Sequence, residues 1–111
     1  MKKIAFVIAS SLLCLSTTVF AEDHVSAALE HANAAVTHGK AGHASVLVEH
    51  AKPALDHTLA AAIESKGPAK THIEAAANSL EQAIEHGELG HVPVATKYAE
   101  EAVEHLKASQ K

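Results

Sequence analysis

The chain has 111 residues, with 13 acidic side chains against 9 basic ones and 10 histidines, giving a net charge of -4 when histidine is neutral. That balance excludes nucleic acid and anionic membranes as natural partners and favours cations. A single cysteine rules out an internal disulfide framework, and a chain of this length holds one domain with one modest core.

Lys2 and Lys3, the apolar run from Ile4 to Leu15 and the small-residue exit Val19-Phe20-Ala21 predict a secretory signal peptide over residues 1–21, cleaved after Ala21. A membrane anchor needs about 20 apolar residues, and Ser10, Ser11, Ser16, Thr17 and Thr18 dilute this run. Cys14 is a conceivable lipid acceptor, but the bulky Leu12 and Leu13 before it do not suit lipoprotein processing. The expected product is an exported, soluble chain of residues 22–111. It keeps all 13 acidic residues with seven lysines, a net charge of -6, and has neither cysteine nor methionine. Its stability must come from packing or from a bound ligand.

Abundant alanine, few aromatics, and glycine and proline confined to few places predict an all-α chain. With histidines at heptad position g, one apolar stripe at a, d and e runs through four segments. Helix 1, over about 22–38, carries Val25, Ala28, Leu29, Ala32, Ala35 and Val36 on that stripe. Helix 2, over about 43–65, carries Ala44, Leu47, Val48, Ala51, Ala54 and Leu55. Helix 3, over about 69–86, has Ile73, Ala76, Ala77, Leu80, Ala83 and Ile84, and helix 4, over about 91–109, has Val92, Ala95, Ala99, Ala102, Val103 and Leu106.

Gly39 and Gly42, like Gly87 and Gly90, are placed where helices should stop and restart, and Ser65-Lys66-Gly67-Pro68 separates the two halves. Pro93 falls in the first turn of helix 4, where its missing amide hydrogen costs little. Pro53 falls inside helix 2 and is expected to kink or shorten it, at about 3 kcal/mol if the helix stays straight. Sliding 24–61 onto 72–109 without a gap matches 13 of 38 residues, so the halves are a duplication. Two duplicated helical hairpins predict an up-down-up-down four-helix bundle.

All ten histidines fall on the lattice: His24, His31, His38, His43, His50, His57, His72, His86, His91 and His105. Imidazoles seven residues apart on one helix are separated by a rise of about 10.5 Å and cannot share an ion, so any chelate spans two helices. In an antiparallel pair, g faces g. The first hairpin then pairs His38 with His43, His31 with His50 and His24 with His57, and the second pairs His86 with His91, Ser79 with Tyr98 and His72 with His105. Should the two hairpins' edges meet, rungs would merge into sites with more ligands.

Two imidazoles suit Cu(II), Ni(II) and Zn(II), and copper heads the order of divalent affinities. Asp23, Glu30, Glu49, Asp56, Glu85 and Glu104 each precede a histidine, but adjacent helical residues diverge by about 100°, so they supply negative potential rather than ligands. Glu101, one turn before His105, is better placed for direct contact. The competing reading is a pH-responsive or stress-related helical interaction module without a metal, since imidazoles as a class titrate near pH 6.5. Enzymatic readings lack support: Glu88 to His91 is the one Glu-x-x-His and lies in a turn, and no haem-attachment or phosphate-loop motif occurs.

These His-Gly-x-x-Gly-His turns with heptad histidines, and the run Gly90-His91-Val92-Pro93-Val94-Ala95-Thr96-Lys97, resemble the small metal-binding protein family, exported histidine-rich proteins of nitrifying and related bacteria. Leu80 to Ser109 is the closest stretch. The resemblance implies a periplasmic four-helix bundle that binds several divalent metals, copper foremost, with a part in copper storage or tolerance. The family's heptad histidines carry over onto all ten positions, and Ser79 and Tyr98 stand where the family would have histidine. The reading as a whole is a monomeric, non-enzymatic protein that sequesters or buffers Cu(II), with Ni(II) and Zn(II) held less tightly.

Overall fold

The computed structural model describes residues 20–111. The signal peptide expected over 1–21, with Cys14, lies outside the described residues except for its last two positions. Four helices follow in order: α1 Phe20–Lys40, α2 Ala44–Glu64, α3 Gly67–Glu88 and α4 Val92–Ala108. Each packs on its neighbours in the chain and α1 closes against α4, while α2 and α4 hardly touch across the diagonal. The architecture is therefore the up-down-up-down bundle that the duplicated hairpins predict. Among the described residues no helix is long and apolar enough to cross a membrane.

The turns within the two hairpins are built alike. Gly42, with φ 85, and Gly90, with φ 82, take the left-handed conformation that ends a helix without a Cβ penalty. The amide of His43 then donates to the carbonyl of His38 at 2.9 Å and that of Gly42 to Gly39 at 3.0 Å. In the second turn His91 donates to His86 at 2.8 Å and Gly90 to Gly87 at 3.0 Å. This pair of bonds, six-to-one and five-to-two, is the Schellman motif. Between the hairpins only Ser65 and Lys66 are non-helical, and the helix expected to start near 69 starts at Gly67, with Pro68 in its first turn. Lys70 reaches back to cap the Ala62 carbonyl at 2.7 Å.

Pro53 does not shorten its helix: α2 spans 21 residues, the same as α1. The proline takes an outward heptad position, and the carbonyl that loses its donor belongs to the exposed Glu49. Gly39 and Gly87 do not stop their helices either. Both lie within the last turn and are buried. The lattice that puts histidine at g puts these glycines at a, the position facing the core. A Cβ on Gly39 would run into the Thr96 hydroxyl and lie 2.8 Å from Leu47 Cδ1. One on Gly87 would lie 2.6 Å from Val48 Cγ2 and 3.4 Å from Leu47 Cδ2. The isopropyl group of Leu47 thus fills the space that both glycines leave, and the helices draw together at the turn end.

The rest of the core is mostly alanine. Leu47, Ile73, Leu80, Leu106 and Thr58 are the largest fully buried side chains. The hydroxyls of Thr58 and Thr96 are satisfied locally, each donating 2.7 Å to the carbonyl four residues earlier, Ala54 and Val92. The likeness of the two halves shows on the surface as well. Lys40 pairs with Glu100 at 3.4 Å and Lys52 with Glu88 at 3.5 Å. A shift of 48 residues carries one pair onto the other with the charges exchanged.

Gly39→Ala and Gly87→Ala are each expected to destabilise the fold by about 1–3 kcal/mol, the usual cost of overpacking, less about 1 kcal/mol gained in helix propensity. Urea denaturation followed by circular dichroism measures both. Unchanged midpoints would show that Leu47, Val48 and Thr96 yield without cost.

Candidate metal centre

The backbone sets the first contact of each ladder. In a Schellman motif the side chains three residues before the cap and two after it meet, usually as an apolar pair. Here those positions are His38 and His43 in one turn and His86 and His91 in the other. Their rings lie 5.9 Å and 5.5 Å apart, centroid to centroid. His43 and His91 also occupy the N-cap positions of α2 and α4, yet neither side chain caps its helix. Both imidazoles remain available to the facing ring.

From the turn, heptad steps carry the first ladder along the α1–α2 seam. The remaining expected partners lie together, His31 with His50 at 5.8 Å and His24 with His57 at 5.2 Å. The rungs are not separate, however. His31 also stacks on His57 at 6.1 Å with ring planes 7° apart, and His38 stacks on His50 at 5.5 Å and 4°. The antiparallel stagger sets each ring about midway between two rings of the partner helix, so six imidazoles form one zigzag file: 24, 57, 31, 50, 38, 43. Tilted and stacked contacts alternate along it, the tilts being 32° to 37°. All but the exposed His43 are half-buried.

The second ladder is interrupted. His86 with His91 and His72 with His105 lie at its two ends, the latter 5.7 Å apart. Tyr98 continues the stack on His86 at 5.7 Å and 9°. Ser79 is 7% exposed, too short to extend the file, and donates its hydroxyl to Glu101 Oε1 at 3.4 Å. Glu101, expected beside His105, is instead tied across the seam to Ser79. The ladders do not merge: among the described residues no group of three or more histidine, cysteine, aspartate or glutamate side chains gathers around a point that could hold an ion. The α1–α2 and α3–α4 seams lie on opposite sides of the bundle, which keeps the two sets apart.

Three facing pairs bring Nδ1 atoms close: 3.0 Å for His24 and His57, 3.3 Å for His86 and His91, and 3.5 Å for His72 and His105. Nitrogens bound to one ion at about 2.0–2.1 Å, with angles of about 90° to 120°, are about 2.8–3.6 Å apart. The pairs therefore have the separation of two cis ligands. In metal-free neutral pairs, one ring donates Nδ1–H to the other's lone pair. The carboxylates that precede the histidines, Asp23, Glu30, Glu49, Asp56, Glu85 and Glu104, are all exposed and give the flanks negative potential without entering the pairs.

A family model described as Small metal-binding protein matches residues 1–109. No curated protein matches the chain.

Tyr98 is the sole tyrosine and there is no tryptophan, so the chain's intrinsic emission reports on the ring stacked against His86. A paramagnetic Cu(II) ion taken up by His86 and His91 is expected to quench it, whereas His86→Gln with His91→Gln removes that quenching phase. Quenching that survives the double substitution would place the responsible ion elsewhere.

Proposed function

The chain belongs to the small metal-binding protein family, and on that premise we propose that it is exported to the periplasm after removal of residues 1–21. There it sequesters or buffers divalent ions between paired imidazoles on both hairpins. Cu(II) is held in preference to Ni(II) and Zn(II), and the protein acts as a monomer without catalysis. The observation that carries this reading is the Nδ1 separation of 3.0 to 3.5 Å in three facing pairs. Five pairs of imidazoles, three in the first hairpin and two in the second, supply the sites. Neutral nitrogen donors without a thiolate or thioether suit Cu(II) rather than Cu(I), and the general order of divalent affinities places copper above its neighbours.

Two imidazoles leave coordination positions for water or a transient partner, which suits a buffer that must exchange its cargo. Half-burial of most of the rings lowers the dielectric around the ion, and the exposed carboxylates offset its charge. Binding also adds to stability. An ion that binds only the folded chain contributes about 2.7 kcal/mol at a hundredfold excess over Kd, which matters for a core made chiefly of alanine. Protons compete for the same nitrogens, so acid releases the ion.

Calorimetric titration of the exported chain at pH 7 is expected to show saturable Cu(II) binding at several equivalents, tighter than Ni(II) or Zn(II) and lost at pH 5. His38→Gln with His43→Gln should remove one equivalent and leave the others. Binding no stronger than to an unfolded histidine-rich peptide would overturn the reading. Thermal melts supply the second check: copper should raise the midpoint of the native chain at pH 7 and leave it unchanged at pH 5.

A further inference from the structure

In the first hairpin every interior ring of the file has two neighbours on the opposite arm. His57 is tilted against His24 and stacked on His31, and His50 is tilted against His31 and stacked on His38. His38 in turn meets His43, the exposed member at the turn. The two kinds of contact differ chemically. An imidazole lone pair lies in the plane of its ring, so rings whose planes intersect can share an ion, whereas rings stacked within 4° to 7° cannot until one of them turns. We propose that this file is a transfer path: a divalent ion held by one tilted pair passes to the next through the stacked contact without returning to solvent. Each pair of the second hairpin, by contrast, exchanges its ion only with solvent. The inference rests on the paired-imidazole reading above and adds to it the route by which cargo moves within the protein.

Two imidazoles do not fill the coordination shell of Cu(II) or Zn(II), and in the file an incoming ligand is always at hand. For an ion between His24 and His57 it is His31, whose ring centroid lies 6.1 Å from that of His57. For an ion between His31 and His50 it is His38, 5.5 Å from His50. Rotation about the bond from Cβ to the ring, a broad torsion, turns the stacked ring toward the ion. One metal–nitrogen bond to the ring ahead forms, and one to the ring behind breaks. The incoming neutral imidazole gives its lone pair and the outgoing one keeps its own, so neither proton nor electron is transferred. Rings on one helix are separated by a rise of about 10.5 Å, too far to share an ion, so the path alternates between the arms.

The second hairpin lacks the intermediate rings. His72 and His86 stand two heptads apart, a rise of about 21 Å. Between the end pairs, Tyr98 stacks on His86 but carries no ring nitrogen, and the Ser79 hydroxyl donates to Glu101. One molecule thus holds a continuous file and an interrupted one, and the second serves as the control for the first.

The test follows substoichiometric Zn(II), a diamagnetic probe, on the exported chain at neutral pH. Nuclear magnetic resonance exchange spectroscopy of the assigned histidine ring signals gives the rate at which the ion moves between the His24 and His57 pair and the His38 and His43 pair. Transfer to excess chelator, extrapolated to zero chelator, gives the rate of release. Movement within the first hairpin is expected to be at least about tenfold faster than release and independent of protein concentration, because the next ring is tethered at a high effective concentration. Exchange between the two pairs of the second hairpin should be no faster than release. His50→Gln, which breaks the file and keeps both end pairs, should lower the first rate to that of release. Movement no faster than release in the native chain, equal rates on the two hairpins, or a rate that His50→Gln leaves unchanged overturns the transfer path and leaves the pairs standing. Zn(II) that perturbs none of the facing rings would defeat the paired-imidazole reading, and the path with it.

Discussion

Seven residues make slightly less than two turns of α-helix, so a heptad row drifts by only about 20° per repeat. Over the three repeats of each helix here, a row that starts on a seam stays on it. That constraint governs both the core and the ladders, because position a faces the core and position g, beside it, carries the imidazoles. The facing rings lie 5.2 to 5.9 Å apart both beside small residues, as at Gly39, and beside large ones, as at Ile73 and Leu106 next to His72 and His105.

Much of this was legible in the sequence, since a lattice of ten histidines and a repeated glycine turn are signals of period and symmetry. The four helices, their order and the facing partners follow from counting alone. What counting misses is anything decided by the third dimension. Gly39 and Gly87 look like helix stops because glycine usually is one, yet extending the heptad by one step puts both at a, where their buried contacts with Leu47 lie. The diagonal stacks of His31 on His57 and His38 on His50 depend on the stagger of two antiparallel helices, which pairing by sums leaves unspecified. Spacing alone places Glu101 beside its own helix's His105, but the short side chain at Ser79 gives it a hydroxyl across the seam. Proline as a residue type points to a shortened helix, whereas its outward position lets α2 run through it.

The two halves have diverged around a shared plan. Ion pairs at the α1–α4 and α2–α3 seams have exchanged signs, Lys40 with Glu100 against Glu88 with Lys52, and the glycine contacts exchange Thr96 for Val48, side chains of nearly the same shape. These changes preserve the packing. The substitutions at Ser79 and Tyr98 alter the ladder itself: the first hairpin keeps an unbroken file of six rings, while the second keeps one pair at each end with a phenol and a hydroxyl–carboxylate contact between.

The zigzag has a further implication for growth. Each ring of the file is supported by rings of the opposite arm, and each arm repeats every seven residues. A hairpin extended by one heptad on both arms would therefore gain two rings in register with those already present, and the existing contacts would not move. An extension by nine residues, half a turn out of phase, would turn the new histidines away from the seam. Capacity in such a fold is quantised by chain length, and a lineage can raise or lower it without redesigning either the turn or the core.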